Sequence, residues 1–138
     1  MREVLHATSV AVAGRGLLIR GASGRGKSGL ALEMMARGAT LIADDRTIVT
    51  RQGDVLLLSV PLPLRGMIEA RRIGLLHADC VDSVPLMAVV DLDVAETHRL
   101  PPIRTTRLLG VEVSLLHNSA SEYFPAGLVH YLKAGRRD

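Results

Sequence analysis

The sequence predicts a single α/β domain in which a phosphate-binding loop joins a strand to a helix and a mixed β-sheet carries flanking helices. Three observations support this. Gly21-Ala22-Ser23-Gly24-Arg25-Gly26-Lys27-Ser28 spells a complete phosphate loop. It is preceded by a short apolar strand over residues 16–20 and followed by a helical stripe of Leu30, Ala31, Met34 and Met35 that stops at Gly38. The 138 residues with 48% hydrophobic content suit one moderate core, so residues 1–138 are read as one domain.

Residues 4–12 alternate loosely and meet Gly14-Arg15-Gly16, which predicts a first strand turning tightly into the strand that feeds the loop. That hairpin carries His6 toward the loop. After the helix, residues 40–43 form a short buried-strand signal followed at once by Asp44-Asp45. Strand, helix and strand then form a βαβ unit whose right-handed crossover sets the two aspartates beside the loop. Residues 47–51 and 55–58 flank Gln52-Gly53-Asp54 as a second hairpin, and Pro61-Leu62-Pro63 breaks regular structure. Residues 86–92 read as a core strand. An extended loop around Pro101-Pro102 carries Arg99, Arg104 and Arg107, residues 108–116 supply a last strand, and Ser119 to Glu122 open a terminal helix reaching about Ala134.

The chemistry follows from the loop. Its glycines let the backbone close on phosphate, so that successive N–H groups and the helix N-terminus face negative charge. Residues 21–28 are therefore the expected nucleotide-binding residues, with Lys27 reaching the phosphates and Ser28 placed for Mg²⁺. Adjacent carboxylates can divide the remaining work, one at the metal and the other accepting a proton from an attacking hydroxyl. On residue chemistry alone His6 is either structural or catalytic. Glu69 and Arg71 are either a metal ligand and a phosphate clamp or a surface ion pair, and Arg99, Arg104 and Arg107 either close on the transferred phosphate or are solvated.

Composition narrows the class. Formal charge is +3, and all but two of the 17 basic residues are arginine, which suits phosphate recognition. The aromatic fraction is only 2%, and Tyr123, Phe124 and Tyr131 crowd near the C-terminus away from any basic run, which argues against nucleic acid. Cys80 is the sole cysteine, so no intramolecular disulfide or cysteine-rich zinc site is available and a reducing cytoplasm is the expected compartment. No signal-peptide core or membrane-length apolar run is present, so no membrane association is expected.

In order and spacing, His6, Gly14, Gly16, the phosphate loop, Arg37-Gly38 and Leu41-Ile42-Ala43-Asp44-Asp45 resemble the C-terminal catalytic domain of the HPr kinase/phosphorylase family. The family's Glu-x-Arg-Gly-x-Gly motif is similar to Glu69-Ala70-Arg71-Arg72-Ile73-Gly74, with Arg72 in place of the first glycine. The resemblance implies a PEP-carboxykinase-like fold, ATP and Mg²⁺ as cofactors, an HPr-type phosphocarrier as protein substrate, and a homo-oligomer, in this family a hexamer. It also implies a short form without the family's N-terminal domain. By the same carry-over Asp44 is the catalytic base, His6 orients or tunes that aspartate, Arg99 matches the family's arginine loop, and Ser28, Asp45 and Glu69 hold Mg²⁺. Inorganic phosphate and pyrophosphate are implied as partners in the reverse reaction, on which the Arg72 departure bears directly. The alternatives are a small-molecule kinase on the same scaffold and a nonenzymatic ATP-binding regulatory oligomer.

Overall fold

The computed structural model describes residues 1–138. In chain order its elements are β1 (Arg2–Leu5), β2 (Ala7–Val12), β3 (Arg15–Arg20), α1 (Lys27–Met35), β4 (Thr40–Ala43), β5 (Thr47–Gln52), β6 (Val55–Ser59), β7 (Met67–Ala70), β8 (Gly74–His77), β9 (Val84–Ala95), β10 (Thr105–Leu108), β11 (Val111–Asn118) and α2 (Phe124–Ala134). The main sheet runs β1-β5-β6-β9-β3-β2-β4, with β11 also pairing β9 and β10 pairing β11. It is mixed: β3, β9 and β11 are mutually parallel, whereas β2 is antiparallel to both β3 and β4.

Burial explains the apolar runs. Leu17 and Ile19 of β3 enter a core beneath α1 and α2, while Leu18 enters a second core on the opposite face with Val49, Leu58 and Val89. A strand covered on both faces must be apolar at consecutive positions, and Leu17, Leu18 and Ile19 are all fully buried. The same division places Ala88, Val90 and Leu92 of β9 under the helices and Val89 on the far side. Arg15, at the start of β3, donates to the carbonyls of Leu132 and Lys133 at 3.0 and 2.9 Å and so ties off the C-terminal end of α2.

Several sequence expectations change. Residues 4–12 are two strands: β1 pairs β5, β2 pairs β3 and β4, and His6 occupies the bend between them. The two-residue turn into β3 is as expected, with Ala13 and Gly14 at φ 53° and 74°, the mirror-image geometry that matches strand twist. Strands β3 and β4 do run parallel around α1, but they are not neighbours. The β2 strand lies between them, because the hairpin that precedes the loop fills the place a simple βαβ unit would leave to its second strand.

Residues 67–77 fold as the β7–β8 hairpin, an element the sequence reading did not assign. The expected strand 108–116 is the β10–β11 hairpin turning at Leu109-Gly110, and α2 starts at Phe124, later than Ser119, with Pro125 in its first turn. Cys80 is half-buried beside Leu41, in line with a packing role. No helix is long and apolar enough to cross a membrane.

Candidate nucleotide and phosphotransfer site

The loop 21–26 leaves β3 and enters α1 through Gly26, whose φ of 94° is left-handed and suits glycine. At the other end Gly21 lies so close to Leu92 that an added Cβ would sit 3.1 Å from the leucine Cβ. The loop is anchored from β9: the backbone N–H of Ala22 donates to both carboxylate oxygens of Asp93 at 3.1 Å, and the Arg25 guanidinium meets the same carboxylate at 3.2 Å. No side chain caps α1, so its first N–H groups present the positive end of the helix to the loop. Lys27 is buried at 7% exposure, with its ammonium donating to the carbonyls of Gly21 and Ala22 at 2.8 and 3.4 Å. A phosphate oxygen is the natural stronger partner for that ammonium.

Asp44, at the end of β4, is nearly buried. Its Oδ1 accepts from Ser28 Oγ at 2.6 Å and from Thr8 Oγ1 at 3.0 Å, and its Oδ2 accepts from the Glu69 N–H at 3.0 Å. These are neutral donors, each worth about 1.5–3 kcal/mol to a carboxylate, and no cation pairs with the group. Asp44 therefore ties α1, β2, β4 and β7 together beside the loop without a cation partner.

Asp45 goes the other way. Its φ of 68° puts it in the left-handed region, which aspartate tolerates better than most residues, and the Arg46 N–H closes a tight turn onto the Asp44 carbonyl at 2.8 Å. The turn separates two consecutive carboxylates. Asp45 Oδ1 meets His6 Nε2 at 2.6 Å, both side chains about half exposed, while the Asp45 N–H donates to Thr8 Oγ1 at 3.2 Å. His6 thus pairs with Asp45, and Asp44 pairs with Ser28. That is the converse of the sequence expectation, in which His6 served Asp44 and Asp45 joined Ser28 at the metal.

Lys27, Ser28, Asp44, Asp45, Glu69 and Arg71 line one cavity of about 560 Å³. The β7–β8 hairpin forms its far wall. Arg72, which occupies the turn of that hairpin, takes φ 68°, so the backbone holds a conformation glycine adopts freely, and the arginine side chain faces a shallow outer groove. Arg99 is exposed on the loop after β9 and does not line the 560 Å³ cavity. Arg104 is engaged elsewhere: its guanidinium binds Glu96 at 3.1 and 2.9 Å and holds that carboxyl down from 4.5 to about 2. Arg107 donates to the Gly110 carbonyl at 2.8 Å across its own hairpin turn.

Two contributors were missed in the sequence. Thr8 bridges both aspartates, and its signal was a hydroxyl two positions after His6, in a strand whose only other polar residue is Ser9. Asp93 anchors the loop, and its signal was a carboxylate following the apolar run of β9.

The family model for the HPr serine kinase C-terminal domain matches residues 1–83. Among curated proteins, the HPr kinase/phosphorylase of Chlorobium phaeobacteroides is 33% identical over 125 residues, covering 80% of this chain and 39% of that protein. The HPr kinase/phosphorylase of an Exiguobacterium species is 44% identical over 73 residues, covering 52% of this chain and 24% of that protein. The chain therefore spans well under half the length of these relatives. Among solved structures, the Hpr(Ser) kinase/phosphatase of Coxiella burnetii superposes with a TM-score of 0.79 at 21% identity, over 95% of this chain and 94% of that one, a likeness of fold.

Proposed function

This chain belongs to the family of the HPr serine kinase C-terminal domain, and on that premise we propose that it transfers the γ-phosphoryl group of ATP to a serine of an HPr-type phosphocarrier of a sugar phosphotransferase system in the cytoplasm. One observation carries the assignment of roles. Adjacent aspartates lining one cavity take different side-chain partners, Asp44 the phosphate-loop serine and Asp45 a histidine.

The donors fit Mg²⁺. Ser28 and Asp44 bring hard oxygen ligands within 2.6 Å of each other, and Glu69 lines the same cavity. No set of three or more His, Cys, Asp or Glu side chains converges, which suits an ion that takes one or two carboxylates and completes its shell with phosphate and water. Ser28, Asp44 and Glu69 are thus the residues that would hold it. When bound, the ion neutralises charge on the phosphates.

The chain's own residues supply the rest. Lys27 and the loop N–H groups bind and orient the phosphates. Asp45, whose carboxylate does not bond Ser28, accepts the proton of the attacking serine hydroxyl. His6 fixes the Asp45 carboxylate through the 2.6 Å contact. The reverse reaction belongs to the same proposal: a phosphate oxygen attacks the phosphoserine phosphorus, the serine oxygen leaves with the proton held on Asp45, and pyrophosphate forms. Family resemblance adds a homohexameric assembly, with Arg99 acting in phosphotransfer.

The test incubates the protein with Mg²⁺, ATP and an HPr-type carrier and follows phosphoserine by intact mass. The proposal expects one added phosphate per carrier, lost when the acceptor serine is changed to alanine. Phosphorylation of a metabolite with the carrier untouched would reject it. Pyrophosphate release from the phosphorylated carrier and phosphate tests the reverse step, and activity gained only in Arg72→Gly would assign its absence to that residue.

A further inference from the structure

A second cavity, the open groove of about 480 Å³ along the β7–β8 hairpin, runs into the larger one, because Glu69, Arg71 and Leu75 line both. Beyond that junction Arg72 and Ile73 line the groove alone. Two features of this surface serve no purpose within the fold. Ile73 and Leu75 are 76% and 70% exposed, whereas Ile68 of the same hairpin is buried and holds it to the core. Arg71 and Arg72 are exposed as well, and neither forms an ion pair, although Arg65 just before the hairpin is paired with Asp82 at 3.4 Å. Glu69 is the one acidic residue along the groove, and it stands at the junction, where it is assigned to Mg²⁺ above. Arg72 also holds φ at 68°, a conformation that costs an arginine more than a glycine. A charged side chain kept on such a backbone points to a use for its guanidinium outside the chain.

We propose that this groove receives the stretch of the protein substrate that flanks the acceptor serine, and that Arg72 with Arg71 selects a stretch carrying a carboxylate beside an apolar side chain. The inference rests on the transfer to a protein serine proposed above. A serine whose hydroxyl meets Asp45 lies in the larger cavity, and the polypeptide on one side of it leaves across Leu75 and Arg71 into the groove. There an apolar side chain covers Ile73 and Leu75, and the two guanidiniums hold the carboxylate through their forked donors. A free anion would leave the exposed isoleucine and leucine in water, so the combination favours a polypeptide.

The test follows phosphorylation of an HPr-type carrier by wild type, Arg72→Gly and Arg72→Glu at varied carrier and varied ATP. The glycine removes the cation and relieves the left-handed backbone, so its melting temperature is expected at or above that of wild type. The carrier KM is expected to rise at least threefold in Arg72→Gly and at least tenfold in Arg72→Glu, with kcat and the KM for ATP within twofold. A carrier KM within twofold of wild type in both variants, or a fall in kcat with that KM unchanged, overturns the docking groove. Neutralising the carboxylate nearest the carrier's acceptor serine is expected to raise the KM of wild type and to add nothing in Arg72→Gly; equal effects in the two overturn the pairing. A benzoylphenylalanine placed at position 73 is expected to crosslink the carrier beside its acceptor serine, and crosslinks only to a second copy of this chain overturn the proposal. Wild type that leaves the carrier unphosphorylated overturns the functional reading, and this inference with it.

Discussion

Two carboxylates, Asp44 and Glu96, each gather several hydrogen bonds in this protein, and they do opposite things. Asp44 takes two hydroxyls and one backbone N–H, stands over a cavity, and has no cation. Glu96 takes both arms of the Arg104 guanidinium together with the N–H groups of Thr97 and His98, and it lines neither cavity. Where a protein cation neutralises the carboxylate, the pair ties a loop to the sheet. Where only neutral dipoles hold it, its charge stays available to an incoming cation or phosphate complex. Compensation of charge, rather than the number of bonds, separates architecture from chemistry here.

The sharpest way to break this comparison is at the buried lysine that lines the same cavity. Lys27→Ala is expected to remove detectable Mg·ATP binding and phosphotransfer together, because the ammonium acts in both ground and transition states; calorimetry showing unchanged affinity would remove the basis for the site. Next in size is Thr8→Val. It leaves the buried Asp44 short of one donor and frees the turn at Asp45, so a stability loss of about 1–3 kcal/mol in urea titration is expected, along with a tenfold or greater fall in transfer. His6→Ala acts on Asp45 alone. It is expected to slow transfer by roughly tenfold with ATP affinity unchanged, and an equal loss in both would put His6 at the nucleotide instead.

The smallest effect lies at the neutralised carboxylate. Glu96→Gln is expected to leave transfer within about twofold of wild type while lowering the melting temperature at neutral pH. The sign follows from its depressed folded value of about 2 against an ordinary 4.5. The contribution is complete above about pH 4.5 and fades as pH falls toward 2, so wild type and variant should converge in acid. A melting gap that widens with acid would refute the assignment.

How much could be read in advance differs along the chain in the same sense. The loop, α1 and the Asp44-Asp45 turn were legible because phosphate chemistry dictates residue types at fixed spacing, and those residues lie inside the stretch the family model matches. The position of β2 between β3 and β4 was not, since pairing order depends on long-range contacts that local periodicity does not encode. Nor was the β7–β8 hairpin, whose Arg72 sits at a positive φ where glycine would have announced the turn. The different hydrogen-bond partners of the two aspartates were invisible for a related reason: they are set by the left-handed φ at Asp45 and by Thr8, a residue whose hydroxyl carries no motif.

The separation of Asp44 from Asp45 is tested most directly by comparing Asp45→Asn with Asp44→Asn, reading Mg·ATP affinity and single-turnover transfer to the carrier in each. Asp45→Asn is expected to bind Mg·ATP within a few-fold of wild type and to transfer roughly a hundredfold or more slowly, whereas Asp44→Asn loses Mg²⁺-dependent affinity as well. The reverse pattern, with binding spared only in Asp44→Asn, would contradict the account and return the base to Asp44.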